Sequence, residues 1–215
     1  MNKLHIATTD QCILHLKHND YRLAKVIDII GPIEYYVLQD SFEFLVNQII
    51  SQMLSNKVAK ILQKRLKDKC GGKISPKHVL DLSKEDIRSI GISHSKANYI
   101  LNLTKVALKE EIRFSELESL NDDEVIQELR TVKGIGFWTA KMYLLFLMNR
   151  PDVLPIEDSA FQQAYRWLYD TNEISSKSIL ENCAPWKPYS SVASRYLYRA
   201  LDSGLTSTNI ESFLS

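Results

Sequence analysis

The chain has 215 residues, 45% of them hydrophobic and 25% charged, with a formal net charge of +1. That length allows one large domain or two small ones with a real core, and the composition excludes a disordered or fibrous protein. Seven Gly and six Pro argue against a loop-rich β protein, and the near-neutral balance does not advertise a nucleic-acid partner, so charge distribution has to be read instead.

The N-terminal MNKLHIATTD lacks the apolar core of a signal peptide. Tyr21, Leu23, Ala24, Val26, Ile27 and Ile30 follow helical spacing, and Gly31-Pro32 stops them. Ile33 to Leu38 (IEYYVL) is the one strand-like run, and it is short. Asp40 with Glu43 three residues on looks like a capping box for a helix carrying Phe42, Leu45, Val46, Ile49 and Ile50 on one face. Gln52-Met53-Leu54-Ser55 breaks the pattern, Ser55 can cap the helix from Asn56 to about Asp68, and Gly71-Gly72 ends it. Lys57, Lys60, Lys64, Arg65, Lys67, Lys69 and Lys73 make this stretch basic, whereas Glu110 to Glu128 is acidic. Either one face meets phosphate, or both are solvated helix faces. Ser75-Pro76, Ser83 and Ser93 are further helix starts, with Gly91 ending the piece between the last two. Asn121 with Glu124 opens another helix; Asp158, Ser175 and Pro188 begin the last long ones. The longest apolar run, Met142 to Met148, is far too short to span a bilayer. No stretch alternates strongly enough to demand a sheet, so the expectation is a compact all-α protein of about ten short helices.

Cys12, Cys70 and Cys183 are scattered and odd in number. They fit a reducing cytosol, so a cytoplasmic location is expected, and they exclude a four-cysteine metal or iron–sulfur site. His5, His15, His18, His78 and His94 show no metal-ligand spacing.

Leu129 to Asp158, LRTVKGIGFWTAKMYLLFLMNRPDVLPIED, is the most informative stretch. A Gly134-Ile135-Gly136 turn lies between two apolar-periodic helices. Glycines at both ends relieve the limits on φ and let the backbone approach a ligand. The N–H groups of the turn and of the helix starting near Phe137 then form an anion site suited to a DNA phosphate, with charge added by Lys133 and Lys141. A glycine-capped connection between two ordinary helices is the alternative. About twenty residues on, a loop rich in proline and acid, with Asp152 and Glu157, ends on Asp158 at a helix start. Asp158 is either a reacting carboxylate or an N-cap for Ser159-Ala160-Phe161, and the two roles can coexist.

Four blocks resemble the helix-hairpin-helix DNA glycosylase superfamily, in its 3-methyladenine DNA glycosylase II (alkylbase glycosylase) branch. They are Phe42 to Ser55 (FEFLVNQIISQMLS), Gly91 to Leu101 (GISHSKANYIL), the hairpin with Asp158, and Trp186-Lys187-Pro188-Tyr189 with the helix to Leu201. The resemblance implies an all-α, two-lobed fold with the active-site cleft between the lobes. Residues 38–147 would form the central lobe, and 1–37 together with 148–215 the second. It implies a monomer acting on double-stranded DNA that holds a damaged base, with no membrane and no required cofactor.

The resemblance also distributes roles. Asp158 would be catalytic, stabilising the cation that builds at the deoxyribose C1′ as the base leaves. Trp138, Met142 and Tyr198 would line the pocket for the flipped base, where electron-rich rings favour a cationic purine. Met142 departs from the aromatic some relatives have, so a different pocket wall is expected there. Phe42, Phe44, Trp167 and Tyr196 fit a plain core, the usual place of a lone aromatic at helical spacing. Lys133, Gly134, Ile135, Gly136, Thr139 and Lys141 would contact DNA. Met53, with Leu54, would fill the gap left by the base, or else these two simply end a core helix. Backbone carbonyls of Arg130, Val132 and Ile135 would hold a monovalent cation. Lyase-competent relatives carry a nucleophilic lysine where Trp138 stands, and Lys141 does not match it, so base removal without strand cleavage is expected. The alternatives are a catalytically silent hairpin module, a helical protein-interaction domain, and a glycosylase for another lesion such as a deaminated base.

Overall fold

The structure, a computed structural model, describes residues 2–214. In chain order the elements are β1 (Asn2–Ile6), α1 (Gln11–Asn19), α2 (Tyr21–Ile30), β2 (Ile33–Val37), α3 (Ser41–Ser51), α4 (Asn56–Lys69), α5 (Pro76–Leu80), α6 (Lys84–Ser89), α7 (His94–Leu108), α8 (Asp122–Arg130) and α9 (Phe137–Met142). A π-helical stretch, Tyr143–Leu147, follows α9, and α10 (Ser159–Tyr169), α11 (Ser176–Asn182), α12 (Ser190–Asp202) and α13 (Glu211–Leu214) complete the chain. Among the described residues no helix is long and apolar enough to cross a membrane. Two compact units result, one of Met1–Val37 with Asn149–Ser215 and one of Leu38–Met148.

The local signals act where they were expected. Ser55, Ser75, Ser83, Ser93, Asn121, Asp158 and Ser175 each accept a backbone N–H at a helix start, satisfying one of the donors a helix N-terminus leaves unpaired. At α3 only half of the expected capping box forms. Asp40 accepts the Glu43 N–H, but the Glu43 carboxylate turns to Lys67 at 2.9 Å, since a cation outcompetes a neutral N–H for it. Pro188 does not begin a helix; α12 starts at Ser190.

The all-helical expectation needs one amendment. β1 pairs antiparallel with β2, Ile6 opposite Ile33 and Asn2 opposite Val37. Ile6 and Ile33 are buried, while Lys3 and Glu34 form an ion pair at 2.7 Å that lowers the Glu34 pKa. Strand β1 has only Leu4 and Ile6 as apolar residues, so its pattern was too weak to stand out; its partner lies across two helices.

The unit containing both termini packs around Leu16, Leu23, Ile27, Phe161, Trp186 and Leu197, all fully buried. Asp20 is a polar hub there. It caps α2 through the Leu23 N–H, and its other oxygen accepts the Trp186 indole N–H at 2.7 Å and the Tyr169 hydroxyl at 2.6 Å. This accounts for Trp186 in the WKPY block: it is a core residue with a satisfied donor. In the second unit α3 is central, packing on α4, α7 and α9 through Phe44, Leu45, Ile49 and Ile50.

Candidate functional site

Within the central unit, α8 and α9 are joined by residues 131–136, and the two glycines of this turn differ. Gly134 has φ +103°, and a Cβ there would sit 2.4 Å from the Tyr99 ring. It therefore serves a left-handed backbone and a close approach to protein. Gly136 is extended (φ −101°, ψ −176°) and a Cβ would meet nothing within 4 Å. Any residue could adopt its conformation, so the expected conformational need for both glycines holds only at Gly134. What Gly136 provides is open space beside the first turn of α9.

The turn is closed from inside and clasped from outside. The Ile135 N–H donates to the Val132 carbonyl at 3.0 Å, so it is not among the outward-facing donors, contrary to the expectation for the whole turn. The Arg130 guanidinium stacks 3.6 Å from the centroid of the half-exposed Phe137 ring, bridging the end of α8 and the start of α9 by a cation–π contact. Lys133 is exposed, Lys141 intermediate, and Ile135 buried.

Gln52 ties this turn to the loop between α3 and α4. Its amide donates to the Gly134 carbonyl at 3.0 Å and to the Thr139 hydroxyl at 3.3 Å. Thr139 is only 1% exposed, so its side chain holds the loop to the hairpin instead of reaching outward. Lys96 braces the same loop, donating to the carbonyls of Ile50 at 2.8 Å and Gln52 at 2.6 Å. A cation at the C-terminal end of α3 satisfies carbonyls that the helix leaves orphaned, and burial lowers the Lys96 pKa. Gln52, Lys96 and Tyr99 lie in two of the quoted blocks, but sequence reasoning gave them no role; membership of those blocks was the available signal.

At the loop's tip Met53 has φ 56° and is fully exposed. A non-glycine residue in this region stores about 1–2 kcal/mol of strain, and here no packing offsets it. Leu54 beside it is 38% exposed. Trp138 is partly buried, and Met142 is buried within the central unit.

In the other unit, Asp158 is buried at the N-cap of α10. Its Oδ1 accepts the Phe161 N–H at 2.8 Å and the Tyr198 hydroxyl at 3.1 Å. Tyr198, expected as a pocket wall, thus commits its hydroxyl to the carboxylate. Burial first, and then the charge of Asp158, push the phenol well above its ordinary pKa, so it remains a donor. The segment before Asp158 is pinned at several points. Asn149 accepts from Tyr35 and from buried Arg195, whose guanidinium lies over the Tyr35 ring. Ser191 accepts the Val153 N–H, and Gln162 donates to the Ile156 carbonyl. These contacts separate three acids that spacing alone left together. Asp152 takes the Ser190 hydroxyl and N–H at the start of α12, Glu157 is exposed, and Asp158 is the enclosed, oriented one.

The comparisons with known proteins agree with one another. The family model for the HhH-GPD superfamily base excision DNA repair protein matches residues 46–188. DNA-3-methyladenine glycosylase 1 of Schizosaccharomyces pombe is 29% identical over 188 residues, 86% of this chain and 82% of that one. Among solved structures, DNA-3-methyladenine glycosidase from Bacillus halodurans superposes with a TM-score of 0.83 at 31% identity, over 98% of this chain and 99% of that one. The Schizosaccharomyces pombe 3-methyladenine DNA glycosylase in complex with abasic DNA gives 0.83 at 26% identity, over 90% and 97%.

Proposed function

The chain belongs to the HhH-GPD superfamily of base excision DNA repair proteins, and from that premise we propose that it is a monofunctional glycosylase that releases alkylated bases of the 3-methyladenine type from duplex DNA. The observation that carries this reading is Asp158, a buried carboxylate oriented by a backbone N–H and the Tyr198 hydroxyl. Cleavage of the N-glycosidic bond builds positive charge at C1′, and a fixed carboxylate stabilises that charge without reorganising. An alkylated purine is already a cationic leaving group, so a second acid is less needed than in sugar hydrolysis. Relatives named DNA-3-methyladenine glycosylase support the substrate class, and one such enzyme was solved with abasic DNA.

The remaining roles belong to the same proposal. In the central unit Trp138 and Met142 are the residues assigned to the damaged base, and in the other unit Tyr198 orients Asp158. The backbone around Gly136, with Lys133 and Lys141, grips a phosphate. Arg130, Val132 and Ile135 offer carbonyls to a monovalent cation. Arg130 ends α8, where last-turn carbonyls lack intrahelical partners, and Val132 keeps one lone pair beyond its bond to Ile135. No other cofactor is needed. Acting on DNA, the protein would work as a monomer in the cytoplasm. Trp138 occupies the lysine position of lyase-competent relatives, and its indole cannot form a Schiff base. Incubation with methylated duplex should therefore release free 3-methyladenine and leave abasic strands that break only on added base or heat. Spontaneous nicking would contradict the monofunctional reading, and release of deaminated bases alone would shift the substrate class.

Met53 is the wedge in this reading. Its strained, fully exposed placement is explained if the side chain is buried only when it enters the base stack, a transfer worth about 1.5–3 kcal/mol. Met53→Gly should leave stability unchanged or raise it by about 1 kcal/mol, because glycine adopts this backbone freely. It should weaken binding to an abasic-site duplex roughly tenfold or more, and binding to intact duplex much less. Equal losses on both duplexes would remove the wedge assignment.

A further inference from the structure

Helix α7 buries Ala97, Ile100, Leu103 and Thr104 against the central unit. Its opposite face sets Ser95, Asn98, Asn102 and Lys105 in one row, spaced three, four and three residues apart. These four, with Tyr99, Leu101 and Lys133 of the hairpin turn, line an open groove of about 420 Å³. The lining holds two ammonium groups, two amides, the Ser95 and Tyr99 hydroxyls, and no carboxylate. α7 itself contains no acidic residue.

We infer that this row is a second DNA-backbone site, along which the phosphates of one strand run on from the hairpin. Three features favour a nucleic-acid strand. Lys133 belongs to both the groove and the hairpin turn, and Tyr99 packs against Gly134, so the two surfaces are continuous. Ser95 to Lys105 spans about 15 Å of helix at 1.5 Å per residue, the axial length of about four nucleotides at 3.4 Å per strand. Amide and hydroxyl donors interleaved with point charges suit phosphodiester oxygens and read no base, as a lesion-searching enzyme requires. The inference rests on the glycosylase reading and extends its footprint; it assigns no further chemistry.

The test is binding to an undamaged duplex over a salt series, joined to a phosphate-protection footprint. Lys105→Gln should lower the slope of log affinity against log salt by about 0.9, the value of one lost phosphate contact. Asn102→Asp should weaken binding further by placing a carboxylate in the row. Both should lose protection over two to four adjacent phosphates on one strand, on one side of the hairpin contact. A mere change in net charge would not move a localised footprint. Unchanged slope and footprint in both variants would overturn the inference and leave the groove to an acidic protein segment. If the wild-type protein itself does not bind duplex, the glycosylase reading fails; if it binds and the variants match it, only this extension fails.

Discussion

Asp158→Asn should abolish measurable base release, slowing it at least about a hundredfold, while the fold and the affinity for intact duplex persist. The substitution is chosen for what it keeps. The Asp158 Oδ1 caps α10 through the Phe161 N–H, and asparagine is as good an N-cap as aspartate. It retains an oxygen for the Tyr198 hydroxyl as well. What it removes is the negative charge needed beside the developing C1′ cation. Asp158→Ala would confound the two roles by also losing the cap, worth about 1 kcal/mol. Tyr198→Phe is the complementary change: the charge stays and the phenol donor goes. A hydrogen bond to a charged group is worth roughly 1.5–3 kcal/mol; if about half is expressed in the transition state, release slows roughly four- to twelvefold. Base release by Asp158→Asn at the wild-type rate, measured in single turnover on methylated duplex, would reduce Asp158 to a helix cap.

The parts of the fold legible beforehand were those set by local chemistry. Ser55, Ser93, Asn121 and Asp158 cap the helices that follow them, because a short polar side chain before an apolar-periodic run has few alternatives. Of the β1–β2 pair only β2 was legible, as the strand-like run from Ile33. The register joins Ile6 to Ile33 across two helices, and β1 alone has too few alternating residues to stand out. Similarly, spacing could not distinguish Asp152, Glu157 and Asp158. They are separated by Ser190 and Tyr198, both on α12 and more than thirty residues away in sequence. The Gln52, Lys96 and Tyr99 positions were visible as parts of a recurring pattern. Their physical reason appears only when the fold brings Lys96 to the end of α3 and Tyr99 to Gly134.

That last contact makes the two hairpin glycines a matched experiment. Gly134→Ala should destabilise the protein by about 2–5 kcal/mol, a fall of roughly 5–20 °C in melting temperature. Two costs combine: a side chain forced to φ +103°, and a Cβ 2.4 Å from the Tyr99 ring. Tyr99 cannot retreat freely, because α7 is also anchored by Lys96 on the α3–α4 loop. Relaxation would shift the Gly134 carbonyl away from Gln52, loosening the wedge loop along with the hairpin. Tyr99→Ala in the Gly134→Ala background should recover part of the loss, since the overlap disappears and only the backbone strain and a cavity remain. Gly136→Ala should behave differently: its backbone is extended and its surroundings open, so alanine should be neutral or stabilise by up to about 1 kcal/mol. Its effect should fall on DNA instead, weakening duplex binding about five- to tenfold by placing a methyl group where the phosphate approaches the backbone. If Gly136→Ala binds duplex as the wild type does, the phosphate does not make its close approach there. If Gly134→Ala melts with the wild type, Tyr99 is free to move and the hairpin is not braced by α7.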